Sequence, residues 1–599
     1  SMTYSRIMKR GALAGLAAII LLFAVIPSPS QAATGNSWIP VSPQYDDPTF
    51  HSVTFRDFLP LQFNYSVLQS SNQNGSYVCN STSDPQCVSN QLFQFNSILK
   101  VCKSQSDIDC IESVAEISNT GLRNAAVSKS YTVTNHLNAY PADTKLAIHA
   151  GDMPSLWNIP TAPHASGTEY AVVAGVNGEV NRNGNDSSMG RYIQVSLLPV
   201  VMKDYGTGRQ TQTGGWDNKY VQGVYYDFCQ TSTRGQNQSF SDCGHVNDED
   251  CLLPTENQGK CYIQADFKGS PKFNIQLRLS HEPNGWLHGR MTDPNVTISR
   301  DSAGQTILSM TAGISTVPMV YQGGLWATFP DNLKKFWVDC FTNMFCGFAK
   351  YIGSNPNSSW IDLNKTLEGQ AQINSNVYPY SFGKRALQGM AAIAPVIGDK
   401  STASTTLWSF RTLTNDEMNG ANKCFTNTSG IKGIVSTNST TYSAGPPELK
   451  DGSLQYQVAS AHYLPDGVTP FKGTYNLVMR SDTARCIYGF TSAPIKASIS
   501  VVSAEGNNDV ATTVSNEKDG WLYLSANNFE FSSPTIQVKL TQDSQLAAPA
   551  PTPTATPKTV APQITKPTSI KTTISCVKGK STKKVTAINP KCPTGYIKK

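Results

Sequence analysis

Fourteen cysteines constrain this chain more than any other feature. They fall into seven sequential pairs: Cys79 and Cys87, Cys102 and Cys110, Cys229 and Cys243, Cys251 and Cys261, Cys340 and Cys346, Cys424 and Cys486, Cys576 and Cys592. None has the C-x2-C spacing of a structural zinc site. In an exported chain an even set of cysteines reads as a disulfide framework. Nearest neighbours are expected to pair, although spacing alone leaves the connectivity open. Short loops closed this way stabilise by about 2–3 kcal/mol each in the chain-entropy model. They staple loops locally, so the main core has to come from strands.

Export is read from the first residues. Arg6, Lys9 and Arg10 precede an apolar run from Gly11 to Ile26. Pro27 and Pro29 break the run, and Ser30-Gln31-Ala32 supplies small residues for cleavage. This is the tripartite pattern of a signal peptide, expected to span 1–32 and to be removed. The run is shorter than the ~20 residues of a spanning helix. No membrane span is expected after cleavage, and the mature protein is expected outside the cell or at its surface.

Charge is sparse and unevenly placed. Charged residues are 15% and apolar residues 39%, against about 25% and 45–50% in ordinary domains. That excludes a coiled coil and a charge-driven disordered chain. Residues 544–599 hold ten lysines and no acid, and residues 1–35 hold three basic residues and no acid. With a total of +6, the body between them carries −7. Alternating prolines over 543–570 predict an extended linker. Beyond it, 571–599 reads as a basic tail closed by Cys576 and Cys592. Lys578, Lys580, Lys583 and Lys584 crowd its middle. Such an appendage suits an anionic partner, a cell-wall polymer or another envelope component. Nucleic acid is not expected, because the body is acidic and Tyr596 is the tail's one aromatic.

The body reads as mainly β, multi-domain, with disulfide-stapled loops and a few short helices. Residues 33–400 form a β-rich region of one or two domains. Tyr170–Asn177, Tyr192–Met202, the alternation of Phe273, Ile275, Leu277 and Leu279, and Ile307–Tyr321 predict strands. Leu92, Phe95, Leu99 and Cys102 fall on a helical stripe. A longer stripe runs from Asp331 through Leu333, Phe336, Trp337, Cys340, Phe341, Met344 and Phe345. It predicts a core-facing helix, since its polar face lacks the basic residues of a membrane-inserting one. From 405 to 542, alternating runs at Leu454–Val458, Tyr475–Met479 and Ala497–Val501 join strands at Trp521–Leu524 and Ile536–Leu540. Turns at Pro465-Asp466-Gly467 and Lys518-Asp519-Gly520 separate some of these strands. The spacing predicts a separate C-terminal β-sandwich-like module, its long loop closed by Cys424 and Cys486.

The stretch YLPDGVTPFKGTYNLVMRSDTARCIYGFTSAP, with DGWLYLSANNFEFSSPTIQVKLTQ downstream, resembles a module that recurs in secreted surface proteins of actinobacteria. The ending CVKGKSTKKVTAINPKCPTGYIKK is similar to a terminal segment of such proteins. The resemblance covers about 405–599. It implies bacterial export and surface display, and it brings no activity with it.

Two constellations are candidate metal sites. In LRLSHEPNGWLHGRM, Pro283-Asn284-Gly285 predicts a hairpin turn that would put His281 and His288 on one sheet face. Two imidazoles need a third ligand to hold zinc or copper, and spacing supplies none. Asp248 and Asp250, between Cys243 and Cys251, could offer oxygens to calcium but lack the spacing of an EF-hand loop. No cofactor is otherwise expected, and no G-x-S-x-G, H-E-x-x-H or phosphate loop stands in a convincing context. The expectation is a secreted, envelope-associated binding or structural protein. The alternative is a glycan hydrolase with paired carboxylates within 36–400.

Overall fold

The computed structural model describes residues 47–57, 66–130, 139–204, 251–254, 260–342, 375–503, 512–542 and 572–599, apart from 48, 73–74, 185, 427–428, 532–534 and 588–589. It also describes short strands at 219–221, 224–227, 245–246, 348–351 and 508–509. The expected signal peptide, linker and acidic loop at Asp248 and Asp250 lie outside the described residues. Two units separate, Ser1–Asp543 and Ser544–Lys599. As expected, the chain is mainly β with few helices.

A fifteen-stranded sheet organises the first unit. Its middle is built from β1 (Leu92–Ile98), β2 (Glu169–Asn181) and β3 (Asp186–Asp204). These are followed by β4 (Gly285–Arg290), β5 (Ser409–Thr412), β6 (Ile431–Thr437), β7 (Lys472–Arg480) and β8 (Trp521–Glu530). Spatially they run β1-β2-β3-β5-β4-β6-β7-β8. Strands β2 and β3 form a long hairpin in which Val172 faces Leu197 and Val176 faces Ile193. β-Branched side chains favour this pleated surface.

Different sheets cover the two faces of this large one. Phe93, Phe95, Val195, Leu197, Leu287, Ile434 and Val478 share a core with Phe273, Ile275, Leu277 and Leu279. Those last four belong to the Lys272–Leu279 strand of a six-stranded sheet. The neighbouring residues Trp286, Val435 and Leu477 point the other way. They share a second core with Tyr456, Val458, Ile536 and Val538 of another six-stranded sheet. Strands β4 and β6 are therefore buried on both faces, and they pair in parallel. That is the usual environment of parallel strands, whose side chains are apolar in continuous runs.

A third core joins the Phe50–Phe55 strand to two helices. The helix Asp331–Thr342 turns Leu333, Phe336, Trp337 and Cys340 onto Val53 and Phe55. Trp337 Nε1 donates to the Ser52 carbonyl at 3.2 Å. The expected apolar stripe thus covers a sheet. Among the described residues, no helix is long and apolar enough to cross a membrane.

Two expectations need correction. Leu92, Phe95 and their neighbours form strand β1, not a helix. The segment LFQFNSI alternates Phe93 and Phe95 inward with Gln94 and Asn96 on the other face, and it is hydrogen-bonded to a strand on each side. Nor do the sheets part near 405. Strand β5 bridges β3 and β4, and β6 lies beside β4, so residues 409–437 belong to a sheet built largely from the first half of the chain.

Disulfides close Cys79–Cys87, Cys102–Cys110, Cys424–Cys486 and Cys576–Cys592. The first, second and fourth are the local staples read from spacing, and the third ties two short helices, Lys423–Thr426 and Ser481–Tyr488. Cys340 is buried in the third core. Cys229, Cys243 and Cys346 and the side chains of Cys251 and Cys261 lie outside the described residues.

Gly433 on β6 shows how tight the two-sided burial is. An added Cβ would lie 2.5 Å from the Val478 carbonyl oxygen and 2.7 Å from the Trp286 ring. Backbone cannot give way as a side chain does. Gly433→Ala should therefore cost about 1–3 kcal/mol, the usual penalty of overpacking. Urea unfolding should show a lower midpoint with an unchanged slope, and an unaltered midpoint would mean that the strands separate freely.

Candidate functional site

The first candidate grows from the alternation in GWLHGR. Trp286, His288 and Arg290 project from one face of β4, as the period of two requires. In the pairing with β5, His288 stands opposite Arg411 and Arg290 opposite Ser409. Three basic side chains are thus gathered on a face that is otherwise core. Each of the two arginines must find a partner, since a buried unpaired charge costs several kcal/mol.

The partners arrive from elsewhere in the chain. Asp57, just past the Phe50–Phe55 strand, accepts from Arg290 Nε through Oδ2 at 2.6 Å. Arg290 Nη1 donates to the carbonyls of Thr437 at 2.8 Å and Ser439 at 2.7 Å. Arg411 makes a two-pronged pair with Glu417, at 2.7 and 2.8 Å. Glu417 sits in the short helix Asn415–Met418, where it also completes a capping box with Thr414. Such a box satisfies helix-end donors reciprocally, so the same carboxylate is held both by the helix start and by Arg411.

Tyr442 closes the cluster. Its ring stacks on the His288 imidazole with centroids 3.9 Å apart and planes 8° from parallel. The Arg290 guanidinium lies 4.7 Å from the same ring's centroid, a cation–π distance. Burial, with Arg290 and Arg411 close by, holds His288 well below the ordinary imidazole value, so it is neutral at pH 7. Burial pushes the Tyr442 phenol up. Asp57, Gln194, His288, Arg290, Ser409, Phe410 and Arg411 line a small cavity with room for about one water molecule. Asp57 Oδ1, His288 Nε2 and Arg290 Nη2 are buried without a hydrogen-bond partner. One acceptor, one donor and one ring nitrogen of either role match a single polar guest.

The expected pairing of His281 with His288 does not occur. The strand before the turn, Lys272–Leu279, stays in a six-stranded sheet, whereas β4 enters the large one. The turn residues are engaged elsewhere. Glu282 accepts from Ile431 N and Arg480, both at 3.1 Å, and Asn284 accepts from Gly430 N at 2.8 Å. His281 is exposed and its Nδ1 lies 3.1 Å from Ser280 Oγ. Ser280 in turn donates to Asp109 at 3.0 Å, and Asp109 pairs with His149 at 3.0 Å. Burial alone would raise the Asp109 carboxyl, but His149 and Ser280 outweigh it and hold it low. The carboxylate stands between His149 and Ser280, so that imidazole cannot take the serine proton. This is not the order of an activated nucleophile. Among the described residues, no group of three His, Cys, Asp or Glu side chains is placed to hold a metal.

The second candidate is the terminal unit. Thr572–Lys578, Ser581–Ala587 and Ile597–Lys598 form a three-stranded sheet with the first strand central. Cys576 is buried and pairs with Lys583 on one side and Lys598 on the other. Lys578, two residues on, shares their face. Lys584 pairs with Ser575 on the opposite face, and Lys580 sits in the turn. Lys578, Lys580, Lys583 and Lys584 are all exposed. Lys583 Nζ lies 5.6 Å from the centroid of the Tyr596 ring.

Compared with known proteins, the chain matches no family model and no curated relative.

Arg290 and Asp57 should be strongly coupled. Arg290→Met leaves the Asp57 carboxylate buried with no guanidinium to meet it and should cost about 3–5 kcal/mol. Asp57→Leu alone should also destabilise. The double variant should cost much less than the sum, because no charge is then left unpaired. Chemical unfolding of the four proteins measures this, and simple additivity would show that the pair is solvated.

Proposed function

We propose that this is a secreted, envelope-associated binding or structural protein that its C-terminal unit holds on an anionic surface. The observation that carries the reading is the terminal sheet, where a disulfide replaces a core and lysines occupy the exposed positions. Val577, Val585 and Tyr596 are too few to build a hydrophobic interior. The unit's conspicuous property is its charge. Lys583 and Lys598 flank the central strand, roughly 9–10 Å apart at the usual strand spacing. A polymer bearing phosphates or carboxylates can meet both at once. Each lysine near an anionic surface contributes about 1 kcal/mol, and salt screens it over about 8–10 Å.

The signal-like N-terminus and the disulfides support export into an oxidising space. The resemblance of 405–599 to surface proteins of actinobacteria supports display there. Catalysis has no comparable support: the serine, histidine and aspartate that meet are in the wrong order.

The full-length protein should be released from isolated envelopes as salt is raised. Lys578, Lys580, Lys583 and Lys584 changed together to Gln should weaken retention at low salt by at least about tenfold, given ~1 kcal/mol per lysine. A form truncated after Asp543 should be retained least. Equal release of all three across the salt series would remove the anchor from this reading.

A further inference from the structure

We propose that the His288 cluster is an acid-sensitive latch, closed while the imidazole is neutral and opened when it takes a proton. It would release the Phe50–Phe55 strand end and the Asn415–Met418 helix from the large sheet.

Placement is the first argument. The cluster is where separately built parts of the fold meet. Asp57 belongs to the end of a strand in the five-stranded sheet. His288 and Arg290 lie on β4 and Arg411 on β5. Glu417 comes from the short helix, and Tyr442 from the Thr441–Tyr442 strand of a six-stranded sheet. The Asp57–Arg290 and Glu417–Arg411 pairs, with the Tyr442 stack, are polar bonds between these parts. His288 touches this set at its centre.

Charge is the second argument. The ionisable groups around the imidazole are Arg290 on its own strand, Arg411 on the neighbouring strand, Asp57, Glu417 and Tyr442. With Tyr442 and His288 neutral, two guanidinium ions balance two carboxylates. A proton bound from solvent by the imidazole leaves an excess of one positive charge in a water-poor site. Both Glu417 oxygens are already given to Arg411, and Asp57 Oδ2 to Arg290. Among the described residues, Asp57 Oδ1 is the one carboxylate oxygen left without a partner there. An imidazolium that turned to it would compete with Arg290 for a single carboxylate, three cations then facing two anions, or would expose itself to water. Either route loosens the contact between the sheets.

The direction in pH follows. The folded imidazole holds its proton less well than an unfolded one, whose value is about 6.5. The latch is therefore fully effective above about pH 6.5. Its contribution is lost as pH falls through that value toward the lower folded one, because the opened state binds the proton.

The test compares the full-length protein with His288→Gln and His288→Phe, and with His281→Gln as an exposed control. Between about pH 7 and 5.5, the unfolding constant of the natural protein should rise more steeply than that of the His288 variants. The excess should approach tenfold per pH unit, the worth of one proton. The control should follow the natural protein. Hydrogen exchange, corrected for its intrinsic pH dependence, should accelerate first at 50–57 and 409–418. Equal slopes in all forms, or acceleration that begins elsewhere, would overturn the latch. If neither His288 variant folds, NMR of labelled histidine rings in the natural protein decides the matter. The His288 ring should remain neutral until exchange at 50–57 rises. A ring titrating near pH 6.5 with unchanged exchange would refute the proposal.

Discussion

The two-sided burial of β4 and β6 is the constraint on which the rest of the first unit depends. Leu287 and Ile434 enter one core, and Trp286 and Val435 enter another. A strand pair with one wet face could hold one partner sheet. This pair holds two, on opposite sides, so the halves of the chain share one sheet rather than abutting as separate bodies. The arrangement also explains the close fit at Gly433, since no solvent layer exists into which an extra atom could move.

Putting charged side chains into such a strand is costly, and the structure offsets the cost by setting a carboxylate against each guanidinium. Arg290 uses a carboxylate and carbonyls brought from distant positions in the chain, and Arg411 a carboxylate six residues on. Buried ion pairs of this kind are weak sources of net stability compared with well-packed apolar residues. Their effect here is geometric, because Asp57 and Glu417 can be satisfied only when their elements dock at one place. The same dependence on pairing makes the cluster responsive to a single added proton.

The terminal unit follows the opposite logic. It is too short for a core, so Cys576–Cys592 takes over the work of burial, and the surface is free to carry charge. Its lysines are solvated and act at the range of the Debye length. The buried arginines act at hydrogen-bond distance. One chain thus uses basic residues in two regimes, as a surface property at its end and as an internal fastening in its body.

The local features were legible in the sequence because they are local in cause. Alternation at Phe273–Leu279, Tyr475–Met479 and Ile536–Leu540 determined strands, and the stripe from Leu333 to Cys340 determined a helix. Close spacing brought Cys79 to Cys87 and Cys576 to Cys592. Composition alone marked the lysine tail. At Leu92–Leu99 two periods competed, and sheet pairing on both sides decided for the strand. The histidine pair was misread for a related reason: Pro283-Asn284-Gly285 has the residues of a hairpin, but Glu282 and Asn284 found partners on residues 430–431 and Arg480. The Asp57–Arg290 and Arg411–Glu417 centre was visible only as arginines in apolar runs, LHGR and SFRT. Asp57 lies 233 residues from Arg290. No periodicity links them, because the link is made by sheet order and by the demand of a buried charge for its counterion. Sequence determined which segments become strands and helices; tertiary structure decided which of them meet.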